Sequence, residues 1–302
     1  MSADACSAHA SARIVDIDGS EIIKRFDERK EVAVIAGFQG INPETGRITT
    51  LGRGGSDTSA VALAAALGAD RCQIFTDVRG VYTADPRAVP AARQLAVVGY
   101  EEMLELANQG AQVMQTRAVE LGWVNGVTIE VRSSYEEHPG TLIKEDSSVE
   151  QRNKVRGLAH DRNVAKVTLV EVPDRPGIAR SVFSPLAEAG INIDMIVQNV
   201  GHGGATDISF TIPRVELARA KRILEPLVRE VGFREMTTDS SVAKVSIVGA
   251  GIHNAPGYAA RMFGTLADAG VNLDAARAET LRLLGTEMPQ GGGLMHRRTA
   301  GD

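Results

Sequence analysis

The sequence predicts an α/β domain followed by smaller α+β modules, and three observations predict this organisation. Residues 12–143 alternate short β-branched segments with helical ones, the pattern of an α/β domain. Residues 144–156 are polar and charged, as in a linker. The remaining half contains an internal repeat whose order of elements is typical of a small α+β sandwich.

The composition is that of a globular protein. The chain has 302 residues, of which 43% are hydrophobic and 24% charged, and its formal net charge is −5. This length allows two domains with sizeable cores. The negative charge leaves no basic stripe for a phosphate backbone, and no apolar run approaches a membrane span. We therefore expect no nucleic-acid partner and no membrane insertion.

Cysteine and histidine usage predicts a reducing, cytoplasmic location without a metal site. Cys6 and Cys72 lie in unrelated contexts, so they indicate neither a disulfide framework nor a metal cluster. The six histidines lack the paired spacing of zinc ligands. The first dozen residues lack the apolar core of a secretory signal.

The first domain opens with a strand over 13–17 and a helix from about Ser20. The unbroken apolar run at 32–38 then predicts a strand buried on both faces of a parallel sheet. A turn at 42–46 leads to the next short strand, over 48–51.

A glycine turn follows that strand and organises the domain. Its three glycines, at positions 52, 54 and 55, allow a sharp turn and the close approach of an anion. Residues 56–58 suit a helix N-cap and first turn, and the helix over 60–67 ends at Gly68.

This turn predicts an anion-binding site, because free N–H groups and the helix dipole converge at a helix N-terminus. Arg53 adds a guanidinium that suits a carboxylate or a phosphate. The turn lacks the ending of a Walker A loop and the spacing of a dinucleotide fingerprint. From these residues alone, a tight turn with a solvated arginine is an equal alternative.

A second polar group follows the next predicted strand, over 71–76. Thr76 and Asp77 stand at its carboxyl end, where open α/β sheets bind ligands. Arg87 comes directly after an Asp85-Pro86 turn, although an ordinary surface loop is the alternative. Helices over 100–109 and 111–121 and a strand over 127–131 complete the domain.

The second half repeats one module. Three pairs of segments correspond: 166–170 with 244–248, 176–177 with 256–257, and 189–194 with 269–274. The first copy has the order β-α-β-β-α-β. After Asp274 the second copy shows no further strand alternation, so we expect the Gly/Arg-rich tail to be unpacked.

Several long motifs resemble those of the aspartokinase family, and the repeats resemble its tandem ACT domains. The motifs are Thr50-Leu51-Gly52-Arg53-Gly54-Gly55-Ser56-Asp57-Thr58, Thr76-Asp77-Val78 with Gly80-Val81-Tyr82-Thr83-Ala84-Asp85-Pro86-Arg87, Tyr100-Glu101-Glu102-Met103-Leu104-Glu105-Leu106-Ala107 and Val131-Arg132-Ser133-Ser134.

The resemblance covers residues 12–274 and implies five segments. They are the C-terminal part of an amino-acid-kinase domain (12–145, a three-layer fold with a mainly parallel sheet), a linker (146–163), a ferredoxin-like ACT domain (164–240), a truncated second ACT domain (241–280) and a disordered tail (281–302).

The family transfers the γ-phosphoryl group of ATP to the β-carboxylate of L-aspartate, on the route to lysine, threonine, methionine and isoleucine. The resemblance therefore implies aspartate kinase activity with 4-phospho-L-aspartate as product, and L-aspartate and ATP with Mg²⁺ as substrates. Because both substrates are anions, catalysis is mostly positioning and charge neutralisation. Lysine or threonine is the implied feedback effector.

The resemblance also implies three groups of binding residues. The substrate group is Arg53, Gly54, Gly55 and Ser56. The nucleotide group is Thr76, Asp77, Tyr82, Thr83, Ala84, Asp85, Pro86 and Arg87, in which Tyr82 lines the pocket and Arg87 touches phosphate, with Arg93 as a further phosphate contact. The effector group is Asp174, Asn192, Ile193, Asp194 and Gln198.

The sequence departs from the family in three places. The family's opening Lys-Phe-Gly-Gly-Thr-Ser segment has no counterpart, so the catalytic lysine is unassigned and we expect apolar sheet edges to be exposed. The second ACT module is shortened. Arg79 stands where the family usually carries an acidic residue.

Three functions stay open at this point. The intact Arg53 and Asp85-Pro86-Arg87 motifs favour the aspartate kinase. The missing lysine segment favours a regulatory or remnant chain that binds an amino acid effector, either as a homodimer through its ACT modules or beside a catalytic subunit. The third is a related kinase of another acyl substrate, such as an N-acylated glutamate, against which the tandem repeat weighs.

Overall fold

The computed structural model describes residues 2–4, 12–145, 155–200, 204–249 and 257–270. They divide into two compact units. The first comprises residues up to 159 together with 246–266, and the second comprises 160–245 with 267–270. None of the helices in these ranges is long and apolar enough to cross a bilayer.

The first unit opens with a small mixed sheet in the order β2-β1-β3-β4. Its strands are β1 (Ser2–Asp4), β2 (Arg13–Asp16), β3 (Gln39–Ile41) and β4 (Ile48–Thr50). β1 runs parallel to β3, whereas the β1–β2 and β3–β4 pairs are antiparallel. Helix α1 (Ser20–Arg29) begins where the sequence predicted.

The predicted buried strand at 32–38 is wrong. These residues form neither helix nor strand, and Val32 and Val34 are 89% and 96% exposed. A strand buried on both faces needs neighbours on both sides. None of the described strands pairs with this run, and regular pairing begins only at Gln39.

The main core of the first unit lies between helices and a second mixed sheet. Along the chain come α2 (Gly55–Ala66), β5 (Cys72–Thr76), β6 (Val97–Val98), α3 (Tyr100–Asn108), α4 (Thr116–Asn125), β7 (Ile129–Ser133) and β8 (Thr141–Ile143). The sheet order is β5-β7-β8-β6, with parallel β5–β7 and β6–β8 pairs and an antiparallel β7–β8 pair. The α/β class is thus confirmed, and its sheets are mixed.

The last helix of this domain begins later than the sequence predicted. Gly110 takes a left-handed φ of 112°, and the Ala111 N–H donates to the Leu106 carbonyl at 2.9 Å. This turn closes α3 and uses residues expected in the next helix, so α4 starts at Thr116 instead of 111. The strand expected at 127–131 is β7, two residues later.

Part of the predicted linker is a strand, β9 (Gly157–Asp161), whereas residues 146–154 lie outside the described ranges. The chain enters β9 through Arg156, whose Nε donates to the Glu102 carboxylate at 2.8 Å. Both side chains are largely buried, so removal of either partner would leave an unpaired buried charge. The Leu158 N–H donates to the Thr83 carbonyl at 2.7 Å.

The second unit has the predicted β-α-β-β-α-β order. It contains β10 (Val164–Pro173), α5 (Ile178–Glu188), β11 (Met195–Val200), β12 (Ala205–Pro213), a short 3₁₀ turn (Arg214–Glu216), α6 (Leu217–Leu224), α7 (Leu227–Val231) and β13 (Glu235–Asp239). The sheet is antiparallel in the order β11-β12-β10-β13. Its buried core includes Val182, Leu186, Phe210 and Leu224.

The second copy of the repeat begins with β14 (Lys244–Val248), which pairs with β9 in a two-stranded sheet. In the first unit, the Arg156 N–H donates to the Val248 carbonyl at 2.7 Å. Helix α8 (Tyr258–Asp268) follows. Residues 271–302, which include the predicted tail, lie outside the described ranges.

Candidate functional site

The glycine turn between β4 and α2 has the backbone that an anion site requires. Gly52 and Gly54 have φ values of 80° and 66°, in the left-handed region that favours glycine. A Cβ on Gly54 would also lie 2.6 Å from the Gln115 side chain. Gly54 is itself the N-cap of α2, so the expected capping residues 56–58 lie inside the first turn.

The first turn of α2 contains backbone donors that have no acceptor within the helix. Ser56 and Asp57 occupy the second and third positions of α2, where backbone N–H groups have no acceptor within the helix. Arg53 and Ser56 are exposed, and among the described residues no ion pair engages the Arg53 guanidinium. This arrangement can receive a carboxylate or a phosphate.

Arg117 of helix α4 holds the backbone that leads into the glycine turn. The sequence analysis did not identify this residue. Its guanidinium donates to the Leu51 carbonyl at 2.9 Å and to the Ala12 carbonyl at 3.0 Å. Leu51 directly precedes the turn and is 1% exposed. No local motif indicates such a contact, because it joins residues 66 positions apart.

Asp57 is a carboxyl group within the same helical turn. Burial raises its pKa above the ordinary value, and hydrogen bonds from the Gln115 backbone N–H and the Ser56 hydroxyl oppose this rise.

The second predicted group begins where expected, at the carboxyl end of β5. Thr76 is the last residue of the strand, and its hydroxyl donates to the Asp77 carboxylate at 3.1 Å. The Ser134 N–H donates to the Thr76 carbonyl at 2.8 Å. Asp77 is exposed beside the sheet edge, where parallel strands usually present ligand-binding groups.

The segment from Tyr82 onward folds back on residues 93–95. The Thr83 N–H donates to the Arg93 carbonyl at 2.8 Å, and the Arg93 N–H donates to the Thr83 hydroxyl at 3.0 Å. Thr83 therefore holds the loop with its own polar groups. Ala84 is buried at 5% exposure and lies beneath the loop surface.

Asp85 and Arg87 form the charged tip of this loop. The Asp85 carboxylate accepts from the Arg87 backbone N–H at 2.9 Å and from its Nε at 3.0 Å. The Arg87 side chain is 81% exposed, and its hydrogen bond to Asp85 raises the pKa of the guanidinium. Asp85 thus orients an arginine that stays open to an incoming phosphate.

In the second unit, Asn192, Ile193 and Asp194 lie in the turn between α5 and β11, and Gln198 lies in β11, whereas Asp174 lies at the opposite end of the sheet. Asn192 and Gln198 are exposed, whereas Ile193 packs against the core. The Asp194 carboxylate accepts from Lys244 Nζ at 2.5 Å, and this lysine side chain is only 9% exposed. The Asp174 N–H donates to the Gly204 carbonyl at 2.9 Å.

In the first unit, helix α2, which follows the glycine turn, packs on β5, which leads into residues 76–87. Within the described ranges, no three His, Cys, Asp or Glu side chains come together as metal ligands.

Comparison with known families assigns both units. Residues 1–133 match the amino acid kinase family, and residues 166–232 and 245–277 each match an ACT domain. An aspartate kinase of Pseudomonas fluorescens is 50% identical over 270 residues, which are 88% of this chain. The chain spans 64% of the length of that relative.

Two solved structures of E. coli aspartokinase III are similar at 27% identity. The complex with aspartate and ADP has a TM-score of 0.70 and matches 93% of this chain and 62% of its own. The complex with lysine and aspartate has a TM-score of 0.66 and matches 92% of this chain and 62% of its own. Sequence motifs, fold and relatives agree, and the chain belongs to the aspartokinase family.

Proposed function

We propose that this chain phosphorylates the β-carboxylate of L-aspartate with ATP, giving 4-phospho-L-aspartate, under feedback control by an amino acid. The observation that carries the proposal is the open glycine turn at the start of α2, with exposed Arg53 beside unpaired amides. A related aspartokinase III is described in complex with aspartate and ADP, which supports the choice of substrates.

Arg53, Gly54, Gly55 and Ser56 hold the substrate in this proposal. The guanidinium of Arg53 pairs with a carboxylate of aspartate, because a planar donor fork matches two carboxylate oxygens. The N–H groups of the first turn of α2 donate to other negatively charged oxygens of the substrate. Positioning and charge neutralisation are the main contributions that such a site makes to phosphoryl transfer.

The nucleotide group comprises residues 76–77 and 82–87. Arg87, oriented by Asp85, contacts a phosphate, and half-buried Tyr82 lines the pocket. Arg93 is exposed on the neighbouring segment and is a further phosphate contact. ATP enters as its Mg²⁺ complex, which partly neutralises the charge that the arginines face.

The first test is turnover by the 302-residue chain itself. ATP, Mg²⁺, aspartate and hydroxylamine should give aspartyl hydroxamate above a control without aspartate. If a folded sample gave no product, the kinase proposal would fail, and a regulatory chain that binds an amino acid effector would replace it. Circular dichroism establishes that the sample is folded.

Arg53→Ala tests the substrate role. We expect the KM for aspartate to rise about 10- to 100-fold, the value of a charge-assisted pair, with the KM for ATP within about twofold. Arg47→Ala, which removes another exposed arginine, is the matched control. Equal losses for both substrates would exclude Arg53 from the aspartate site.

The effector proposal places lysine or threonine at residues 192–198, in the turn that follows α5 and in β11. Asp194 pairs with the effector amine, for which Lys244 is the competing partner. A related aspartokinase III in complex with lysine supports this chemistry.

Gln198→Ala tests that site. We expect the effector concentration that halves activity to rise at least about fivefold, because one polar contact is lost. Turnover without effector should be unchanged. Glu225→Ala, at an exposed position after α6, is the control. An unchanged inhibition curve would remove Gln198 from the site. The partner at the ACT modules, a second copy or a catalytic subunit, and the cytoplasmic location stay predictions.

A further inference from the structure

The loop that carries the proposed nucleotide residues is fastened to the sheet at its base by a buried hydroxyl. Thr141, the first residue of β8, is fully buried at 0% exposure. Its Oγ1 accepts from the Val81 N–H at 2.9 Å and donates to the Leu95 carbonyl at 2.6 Å. One side chain thus joins both arms of the loop.

A second side chain, that of Gln94, holds the backbone two residues before Val81. Gln94 Nε2 donates to the Arg79 carbonyl at 3.1 Å and to the Pro139 carbonyl at 2.9 Å. Gly80 lies between the two anchors, where a Cβ would approach Thr141 Oγ1 to 2.4 Å and Gln94 Nε2 to 2.9 Å. The backbone at 79–81 is therefore held by donors and acceptors that leave no room for a side chain.

The anchored backbone leads directly into the proposed binding residues. The Leu95 N–H donates to the Val81 carbonyl at 2.8 Å, and the Thr83–Arg93 hydrogen bond continues this pairing. Beyond it lie Asp85 and Arg87, whose mutual hydrogen bonds orient the guanidinium. A shift at Val81 would be passed along this short ladder to Tyr82 and the tip, because each rung is a direct backbone contact.

We propose that Thr141 and Gln94 are positioning residues for nucleotide binding: they set the position of residues 81–87 and so determine the affinity for ATP, without touching it. This inference deepens the proposed function and rests on the assignment of residues 82–87 to the nucleotide. A bidentate or stacked contact depends on placement within a fraction of an ångström, so loss of the anchor affects nucleotide affinity before it affects aspartate.

The test compares Thr141→Val, which removes the hydroxyl at nearly constant volume, with Thr141→Ser, which retains it. We expect the valine variant to raise the Kd for a fluorescent ATP analogue and the KM for ATP about tenfold, with the KM for aspartate changed less than twofold. The serine variant should stay within about threefold of the parent. Gln94→Leu should act in the same direction, and Ser209→Ala removes a buried hydroxyl from the other unit as a control.

A merely structural role predicts a different pattern. Thr141→Val would then lower the melting temperature and the active fraction while both substrate constants stay at parental values. That result, or equal changes for ATP and aspartate, overturns the proposal. Because nucleotide binding is measured directly, the two proposals can fail separately. A chain that binds the analogue without turnover would end the kinase proposal, and the Kd values of the variants would still decide this inference. A parent chain that fails to bind the analogue would overturn this inference.

Discussion

The two four-stranded sheets that lie at the start of the chain and in the second unit differ sharply in what covers them. Beside the sheet β2-β1-β3-β4, among the residues whose burial the structure describes, the buried apolar cluster consists of Ala12 and Leu51, with Ile14 packed against them. In the sheet β11-β12-β10-β13, helices α5, α6 and α7 supply a continuous core around Phe210. Strand number is the same, whereas the buried apolar area is not.

The difference shows that apolar sequence alone does not produce a core. The run at 32–38 is as apolar as β10, yet Val32 and Val34 are almost fully exposed. In contrast, Val167 and Leu169 of β10 are completely buried, because β12 and β13 flank the strand and helices cover one face. Burial depends on partners distant in sequence, which the run itself does not encode.

The largest expected effect on the free energy of unfolding comes from removing a core side chain of the sheet β11-β12-β10-β13. Phe210 is 1% exposed and meets the Phe183 ring edge-to-face at 5.3 Å. Phe210→Ala should lower the free energy of unfolding by about 3–5 kcal/mol, whereas Val34→Ala should change it by less than about 0.5 kcal/mol. Urea unfolding of both variants checks the comparison, and similar losses would contradict it.

The same contrast between buried and exposed positions applies to charged residues. Glu130 of β7 is 8% exposed, and its carboxylate accepts from Gln73 Nε2 at 2.8 Å and from Arg71 at 3.0 Å. Glu130→Gln should cost about 1–3 kcal/mol at pH 7. Glu21 of α1 pairs with Arg25 in the solvent, so Glu21→Gln should cost about 0.5 kcal/mol or less.

The difference in the free energy of unfolding between the parent and Glu130→Gln should depend on pH. The hydrogen bond from Gln73, with help from Arg71, lowers the pKa of Glu130 below its model-peptide value of 4.5. The stabilisation is therefore complete above pH 4.5 and is lost as pH falls through the lower pKa of the folded state. Parent and Glu130→Gln unfolding curves should converge in that acidic window, and a pH-independent gap would exclude the carboxylate as its source.

The smallest effect on stability is expected at the exposed run itself. Val32→Lys with Val34→Lys should leave the free energy of unfolding within about 0.5 kcal/mol, because neither side chain is buried. The same change should reduce binding of a hydrophobic dye, since exposed apolar surface attracts such probes. Unchanged dye fluorescence would show that another surface binds the dye.

Features that depend on neighbouring residues could be predicted from the sequence. The start of α1 at Ser20, the glycine turn before α2 and the β-α-β-β-α-β order all follow from local periodicity and turn chemistry. Strand β9 could not be predicted from its own residues, because its partner strand β14 (Lys244–Val248) lies far along the chain.

The residues of the candidate site also fall into two groups: those that local motifs identified and those that act over long sequence separations. Motifs identified Arg53 and the charged tip at Asp85 and Arg87, which are displayed on short local segments. The residues that hold those segments, Arg117 and Thr141, act across 66 and 60 positions and carry no motif of their own. Sequence motifs indicate residues on short local segments, whereas they do not indicate the distant residues that hold those segments in place.

The central position of β10 has a consequence for synthesis of the chain. Its partners are β12, which pairs Val164 with Pro213, and β13, which pairs Lys166 with Asp239. A ribosome adds about 5–20 residues per second, so β10 emerges seconds before its last neighbour exists. Until β12 and then β13 have been synthesised, its apolar face and hydrogen-bonding edges are open to unwanted pairing with other chains.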